Sequence, residues 1–145
     1  MVFPGLAIHR DWGLLALRVA VGIVFVVHGW PKLANAEGMA QAFGQPNPLL
    51  TAFFALQGVV EVIGGIAMLL GLGVQVAALA FSVIMLGAIG LKNTMWATPF
   101  ASSTSTGWEF DFVLLAINLA LLVLGPGRFA LAALRRTPPT AETVR

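Results

Sequence analysis

Four stretches of this chain run with few polar interruptions, and polar clusters separate them. The first extends from about Trp12 to Gly29 and is closed by Trp30-Pro31. The second follows Pro46-Asn47-Pro48 and runs from about Leu49 to Leu70; Gly71-Leu72-Gly73 then makes a tight turn. The third occupies Val74 to about Leu91 and ends at Lys92-Asn93. The fourth runs from about Phe110 to Leu124 and stops at Gly125-Pro126-Gly127, which cannot continue a helix. Apolar runs approaching or reaching about 18–25 residues are what a bilayer core requires of a helix. The pattern predicts an all-α polytopic membrane protein, a four-transmembrane-helix bundle over residues 12–127. It leaves a short N-terminal segment, 1–11, and a tail, 128–145, that carries Pro138-Pro139. No internal repeat and no second domain is visible in the sequence.

The joints between the runs are unequal. The Gly71–Gly73 turn makes the second and third runs antiparallel neighbours. The joints at about Trp30–Pro48 and Lys92–Trp108 are long and share the opposite side. Gly38 to Gly44 is predicted to form a short interfacial helix, whereas Ser102-Ser103-Thr104-Ser105-Thr106-Gly107 has the composition of a loop. Arg10, Arg128, Arg135, Arg136 and Arg145 lie on the side of the termini, and Lys32 and Lys92 on the side of the long joints. The excess of basic residues places both termini in the cytoplasm. Trp30, Trp96 and Trp108 then mark the outer interface and Trp12 the inner one. Ala34-Asn35-Ala36, after the first apolar run, has the look of a signal-peptidase site, but Arg18 interrupts that run and favours a retained span.

Composition agrees with a membrane setting. Of the 145 residues 59% are hydrophobic and 10% charged, whereas soluble domains carry about 25% charged residues. The net charge of +2 comes mostly from terminal arginines and does not signal nucleic-acid binding. With no cysteine in the chain, disulfides, thiol catalysis, thiolate zinc sites and iron–sulfur ligation by its own side chains are excluded. His9 and His28 fall at opposite membrane faces, so the sequence predicts no intrinsic metal site and no bis-histidine haem.

The charges inside the spans carry the functional expectation, because such residues are costly there. Arg18 lies about 9 Å and Glu61 about 14 Å from the inner end at 1.5 Å per helical residue. That spacing predicts a buried Arg18–Glu61 ion pair, either a pin that fixes helix register or a proton or substrate site. Arg18, Gly22, Phe25, Gly29 and Lys32 share one helical stripe, and Gln57, Glu61, Gly64, Gly65 and Met68 another. Glycine beside a charge lets a second backbone approach. At the outer level His28, Lys32, Lys92 and Glu109 form a polar cluster. It is suited to gathering protons or holding a polar head group such as a quinone carbonyl, or else to ordinary interfacial snorkelling. Glu109 and Asp111 point about 200° apart, and Glu109 is the one expected to face the site. Asn118 shares Asp111's face and suits an interhelical hydrogen bond.

An ordered set of segments resembles the DoxX family of small four-span bacterial membrane proteins. The set comprises Leu17-Arg18-Val19-Ala20-Val21-Gly22, His28-Gly29-Trp30-Pro31-Lys32-Leu33, Gly58-Val59-Val60-Glu61-Val62-Ile63-Gly64-Gly65, Leu69-Leu70-Gly71-Leu72-Gly73, Gly107-Trp108-Glu109 and Gly125-Pro126-Gly127-Arg128. Relatives in that family include a subunit of thiosulfate:quinone oxidoreductase and membrane partners of redox enzymes. The resemblance therefore implies a redox-associated subunit of the bacterial cytoplasmic (inner) membrane. The expected ligand is a quinone, and the expected partner a soluble redox subunit or a second copy of the chain. Arg18, His28, Lys32, Glu61 and Glu109 match the family pattern, whereas Asp111 and Asn118 do not find a place in it. A non-catalytic membrane anchor for a soluble oxidoreductase and a small permeation bundle gated by Arg18–Glu61 are the alternatives.

Single cysteines introduced at Ser103 and at Thr140 will label from opposite sides of a sealed membrane vesicle. Labelling of both from one side refutes the four-span topology.

Overall fold

The computed structural model describes residues 9–44, 47–103 and 105–134. Arg135, Arg136, Arg145, Pro138-Pro139, Thr140, Pro46 and Thr104 lie outside the described residues. Among the described residues all regular structure is helical: α1 (Arg10–Ala34), α2 (Ala36–Ala42), α3 (Pro48–Leu70), α4 (Val74–Thr94), α5 (Glu109–Leu124) and α6 (Leu131–Leu134). Three of these, α1, α3 and α4, are long and apolar enough to cross a membrane. The fourth expected span, α5, has 16 residues and is about 24 Å long at 1.5 Å per residue, shorter than the usual hydrocarbon core of about 30 Å.

Local sequence explains the boundaries. Asn35 and Asn47 cap α2 and α3, their side chains accepting from Gly38 N at 3.0 Å and Leu50 N at 2.7 Å. Pro48 stands in the first turn of α3, where its missing N–H costs nothing. At the other end, Leu72 N donates to Ala67 O at 2.8 Å and Gly71 N to Met68 O at 3.1 Å. This is a Schellman closure, which needs the left-handed φ of 71° that glycine supplies at Gly71. One boundary departs from expectation: α1 continues through Trp30-Pro31 to Ala34. A proline in the last turn removes one helical hydrogen bond but leaves its own carbonyl in use, and Asn35 N donates to Pro31 O at 2.9 Å. This extension places Lys32 on the helix rather than in a loop.

The long helices associate as two antiparallel pairs, α1 with α3 and α4 with α5, and the link between α3 and α4 is slighter. The architecture thus repeats, although the sequence shows no repeat. Glycines set the first pair. A Cβ at Gly22 would lie 2.9 Å from Gly65 O, one at Gly65 2.8 Å from Gly22 O, and one at Gly29 3.1 Å from Gly58 O. Two glycines seven residues apart on each helix therefore face each other across an antiparallel contact too tight for any side chain. The two pairs meet through Phe25 and Phe81, whose rings stack 3.6 Å apart, over a core that includes Val21, Met68, Ala78, Met85, Leu114 and Leu121. Large apolar residues such as Leu49, Leu56, Val76, Val83 and Val123 are exposed, as lipid contact requires.

Gly65→Ala will lower stability by about 1–3 kcal/mol through overpacking. Gly90→Ala, where a Cβ meets nothing within 4 Å, will be neutral or stabilising. Unfolding in mixed detergent micelles measures both; equal losses contradict the glycine contact.

Candidate functional site

Arg18 and Glu61 are both buried, at 0% and 1% exposure, but they do not pair. Glu61 is held by Lys32, whose Nζ lies 2.6 Å from both Oε1 and Oε2, and by Gln57, whose Nε2 donates to Oε1 at 2.9 Å. Arg18 instead donates from Nη1 to Met68 O at 3.3 Å and from Nη2 to Phe129 O at 3.1 Å. The expected Arg18–Glu61 pair is therefore corrected, and the reason is side-chain direction. Helical side chains lean toward their own N-terminus. Arg18 on α1 leans inward and Glu61 on the antiparallel α3 leans outward, so they diverge. Lys32 leans inward and meets Glu61. The glycine register also sets Glu61 opposite Val26, about 12 Å along the axis from Arg18.

The Arg18 guanidinium belongs to the inner end of the fold. It occupies the C-terminus of α3, where unpaired carbonyls and the helix dipole favour a cation. There it ties in the segment after α5: Ala130 is buried and Ala132 N reaches Gly71 O at 3.4 Å. Arg18 serves here as an anchor, remote from the outer polar residues.

At the outer end a second ion pair mirrors the first. Lys92 Nζ lies 2.6 Å from Asp111 Oδ2 and donates to Gly107 O at 3.2 Å. Asp111 thus takes the position expected for Glu109. Asp111, Leu114, Asn118 and Leu121 are the buried residues of α5 and recur with helical spacing, so the phase that buries the apolar stripe also turns Asp111 inward. Glu109 stands on another face, its backbone N donating to Phe100 O at 3.0 Å. Asn118 is fully buried but bonds within its own helix, to Leu114 O at 2.8 Å.

Both ion pairs border one cavity of about 770 Å³ between the two helix pairs. Lys32, Glu61, Gln57, Lys92, Asp111 and His28 are its main polar lining; Glu109 and Arg18 are not part of it. Val24, Phe25, Val60, Ile84, Met85 and Leu114 supply apolar wall. His28 Nδ1 lies 2.9 Å from Val24 O. A carbonyl only accepts, so Nδ1 carries the hydrogen of this contact and Nε2 is left to face other partners. Across the outer end, Phe43 stacks edge-on against Trp96 at 5.1 Å and packs on Phe54 at 4.9 Å. The sequence reading did not single out Phe43, Gln57 as a partner of Glu61, or Trp96 as a roof. Gln57's place one turn before Glu61 was the one signal available. No group of three or more His, Cys, Asp or Glu side chains that could hold a metal occurs among the described residues.

What the site can do follows from this chemistry. Each lysine offers donors beside a carboxylate that can accept, the pairs leave no net charge, and the remaining wall is apolar. Such a space suits a ligand with a hydrogen-bonding head and a greasy body.

Comparison with known proteins gives a consistent picture. The DoxX family model matches residues 13–96. The protein named "Putative oxidoreductase CatD" of Bacillus subtilis (strain 168) is 34% identical over 120 residues, covering 82% of this chain and 84% of its own length. Inner membrane protein YphA of Escherichia coli (strain K12) is 28% identical over 124 residues, covering 81% of this chain and 86% of its own. An uncharacterized membrane protein of Mycobacterium tuberculosis, Rv3486, is 32% identical over 129 residues, covering 81% and 78% respectively. No solved structure matches the chain.

In a double-mutant cycle, Lys32→Met and Glu61→Gln will show a coupling of about 1–3 kcal/mol in stability. Arg18→Met and Glu61→Gln will be additive within about 0.5 kcal/mol. The reverse pattern restores the Arg18–Glu61 pair.

Proposed function

This chain belongs to the DoxX family of membrane proteins, and from that premise we propose that it is the membrane subunit of a redox system and binds a quinone in the outer cavity. The observation that carries the reading is the joining of an apolar space of about 770 Å³ to two lysine–carboxylate pairs. Binding pockets for molecules of this class span roughly 300–1,000 Å³. Lys32 and Lys92 would hold the head group by donating to its oxygens; Phe25, Ile84, Met85 and Leu114 would enclose the ring. A bound quinone supplies two-electron, two-proton redox chemistry. The chain's own contribution is to orient the head, exclude water under Phe43 and Trp96, and keep exchangeable protons close by on Lys32, Lys92 and His28. Electrons come from a partner subunit, because the chain offers no thiol or bis-histidine haem ligation of its own. The name of the CatD relative supports a redox setting.

The same reading makes α5 a fourth span. Its first turn meets Lys92 through Asp111, and its last turn meets Gln75 and Arg10, which donate to Leu122 O at 2.8 Å and Leu124 O at 3.4 Å. The helix therefore runs between the two levels that bound α4. With the arginines at the inner end, residues 1–11 and 128–145 are cytoplasmic and the bundle sits in the bacterial inner membrane.

Titration of the purified protein in nanodiscs with a short-chain ubiquinone will quench tryptophan fluorescence saturably, because Trp96 lines the cavity. Trp96→Phe will remove most of the quench. Lys92→Met will weaken binding by about tenfold, the worth of one charge-assisted hydrogen bond. Quenching that does not saturate, or that is indifferent to both substitutions, rejects the quinone reading.

A further inference from the structure

The cavity is roofed towards the outer aqueous side but open to the bilayer on its flank. α3 and α4 leave the Gly71–Gly73 turn in contact. A Cβ at Gly64 would lie 2.8 Å from Phe81 Cζ and 3.7 Å from Ala77 Cβ. Farther out the cavity parts them, with Phe53 and Leu56 of α3 and Val83 and Gly87 of α4 among its walls. Phe53, Leu56 and Val83 are 53%, 65% and 62% exposed while lining that same space. On helices that cross a membrane, exposed apolar side chains at this depth face acyl chains. The outer end, by contrast, is crossed by the Phe43–Trp96 and Phe43–Phe54 contacts.

Gly87 has no role in packing that the fold reveals. It lies inside α4, where glycine is disfavoured. Unlike Gly22, Gly29, Gly58 and Gly65, it has no atom within 4 Å of the place a Cβ would take. It does line the cavity, one to two turns from Val83 and Ala80 on the same face.

We propose that the ligand enters and leaves sideways, between α3 and α4, and that Gly87 keeps this passage wide enough for a prenyl tail. The head lies at Lys32 and Lys92, the tail crosses Gly87 and continues among the acyl chains, and the Phe43–Trp96 roof stays shut throughout. The inference rests on the quinone reading and adds its route and its preference for tailed ligands.

The test compares a tail-less quinone, duroquinone, with a prenylated one, ubiquinone-10, in nanodiscs by Trp96 quenching. Gly87→Leu will weaken or slow ubiquinone-10 binding by about tenfold or more, leave duroquinone within about twofold, and keep the melting temperature of the wild type. Gly90→Leu, on the same helix but outside the cavity lining, will match the wild type for both probes. Because the chain has no cysteine, Gly87→Cys modified with a bulky maleimide after folding gives the same contrast free of any folding defect. Equal loss of both probes in the modified protein makes Gly87 part of the head-group pocket and overturns the lateral route. So does binding indistinguishable from wild type. A wild-type protein that binds neither probe overturns the quinone reading itself.

Discussion

The close approach of α1 and α3 is the constraint from which the rest of the site follows. Gly22 against Gly65 and Gly29 against Gly58 leave no room for side chains and no alternative register. In lipid, helices gain little from hiding apolar surface from one another, so association depends on packing and polar contacts. Backbones this near also shorten the reach between polar residues on either flank. Lys32 and Glu61 meet at 2.6 Å because the glycines hold their helices at that distance and phase. The same phase delivers Arg18 to the carbonyls at the end of α3.

Much of this was legible in the chain. The runs predicted α1, α3, α4 and α5 to within a few residues, except at the outer end of α1, and the glycine-bearing stripes named the two faces that touch. The identity of the charged partners was not. Depth counted from the span ends puts Arg18 and Glu61 within about 5 Å of each other, whereas the glycine register separates them by about 12 Å along the axis. Their side chains also lean in opposite directions because antiparallel helices carry opposite Cα–Cβ tilts. Lys32 was already on the right stripe of the first helix, but it was grouped with the residues at the bundle end rather than with Glu61, because the inward lean of its long side chain was left out of the count. Asp111 and Glu109 differ only in phase, and the decisive information was the buried run Leu114, Asn118, Leu121 that continues from Asp111.

The two helix pairs contribute alike to the cavity. Each brings a lysine near the C-terminus of its first helix and a carboxylate on the antiparallel second one. Burying a lone charge in such a place is prohibitive, whereas a close pair is tolerable when further hydrogen bonds complete it, as Gln57 does for Glu61 and Gly107 O for Lys92. The space between the pairs consequently has strong local dipoles and no excess charge.

Arg18 has a different consequence, one for the order in which the molecule is made. Its charge enters the membrane with the first helix, yet the oxygens that accept its hydrogen bonds belong to Met68 and Phe129. The second of these emerges from the ribosome only after the last long helix. Until that segment is made the guanidinium lacks one of its two acceptors, and its site is complete only when the stretch after the last long helix folds back over Gly71. A chain interrupted before that point carries a cation with an acceptor missing, a chemical mark of incompleteness that the folded protein lacks.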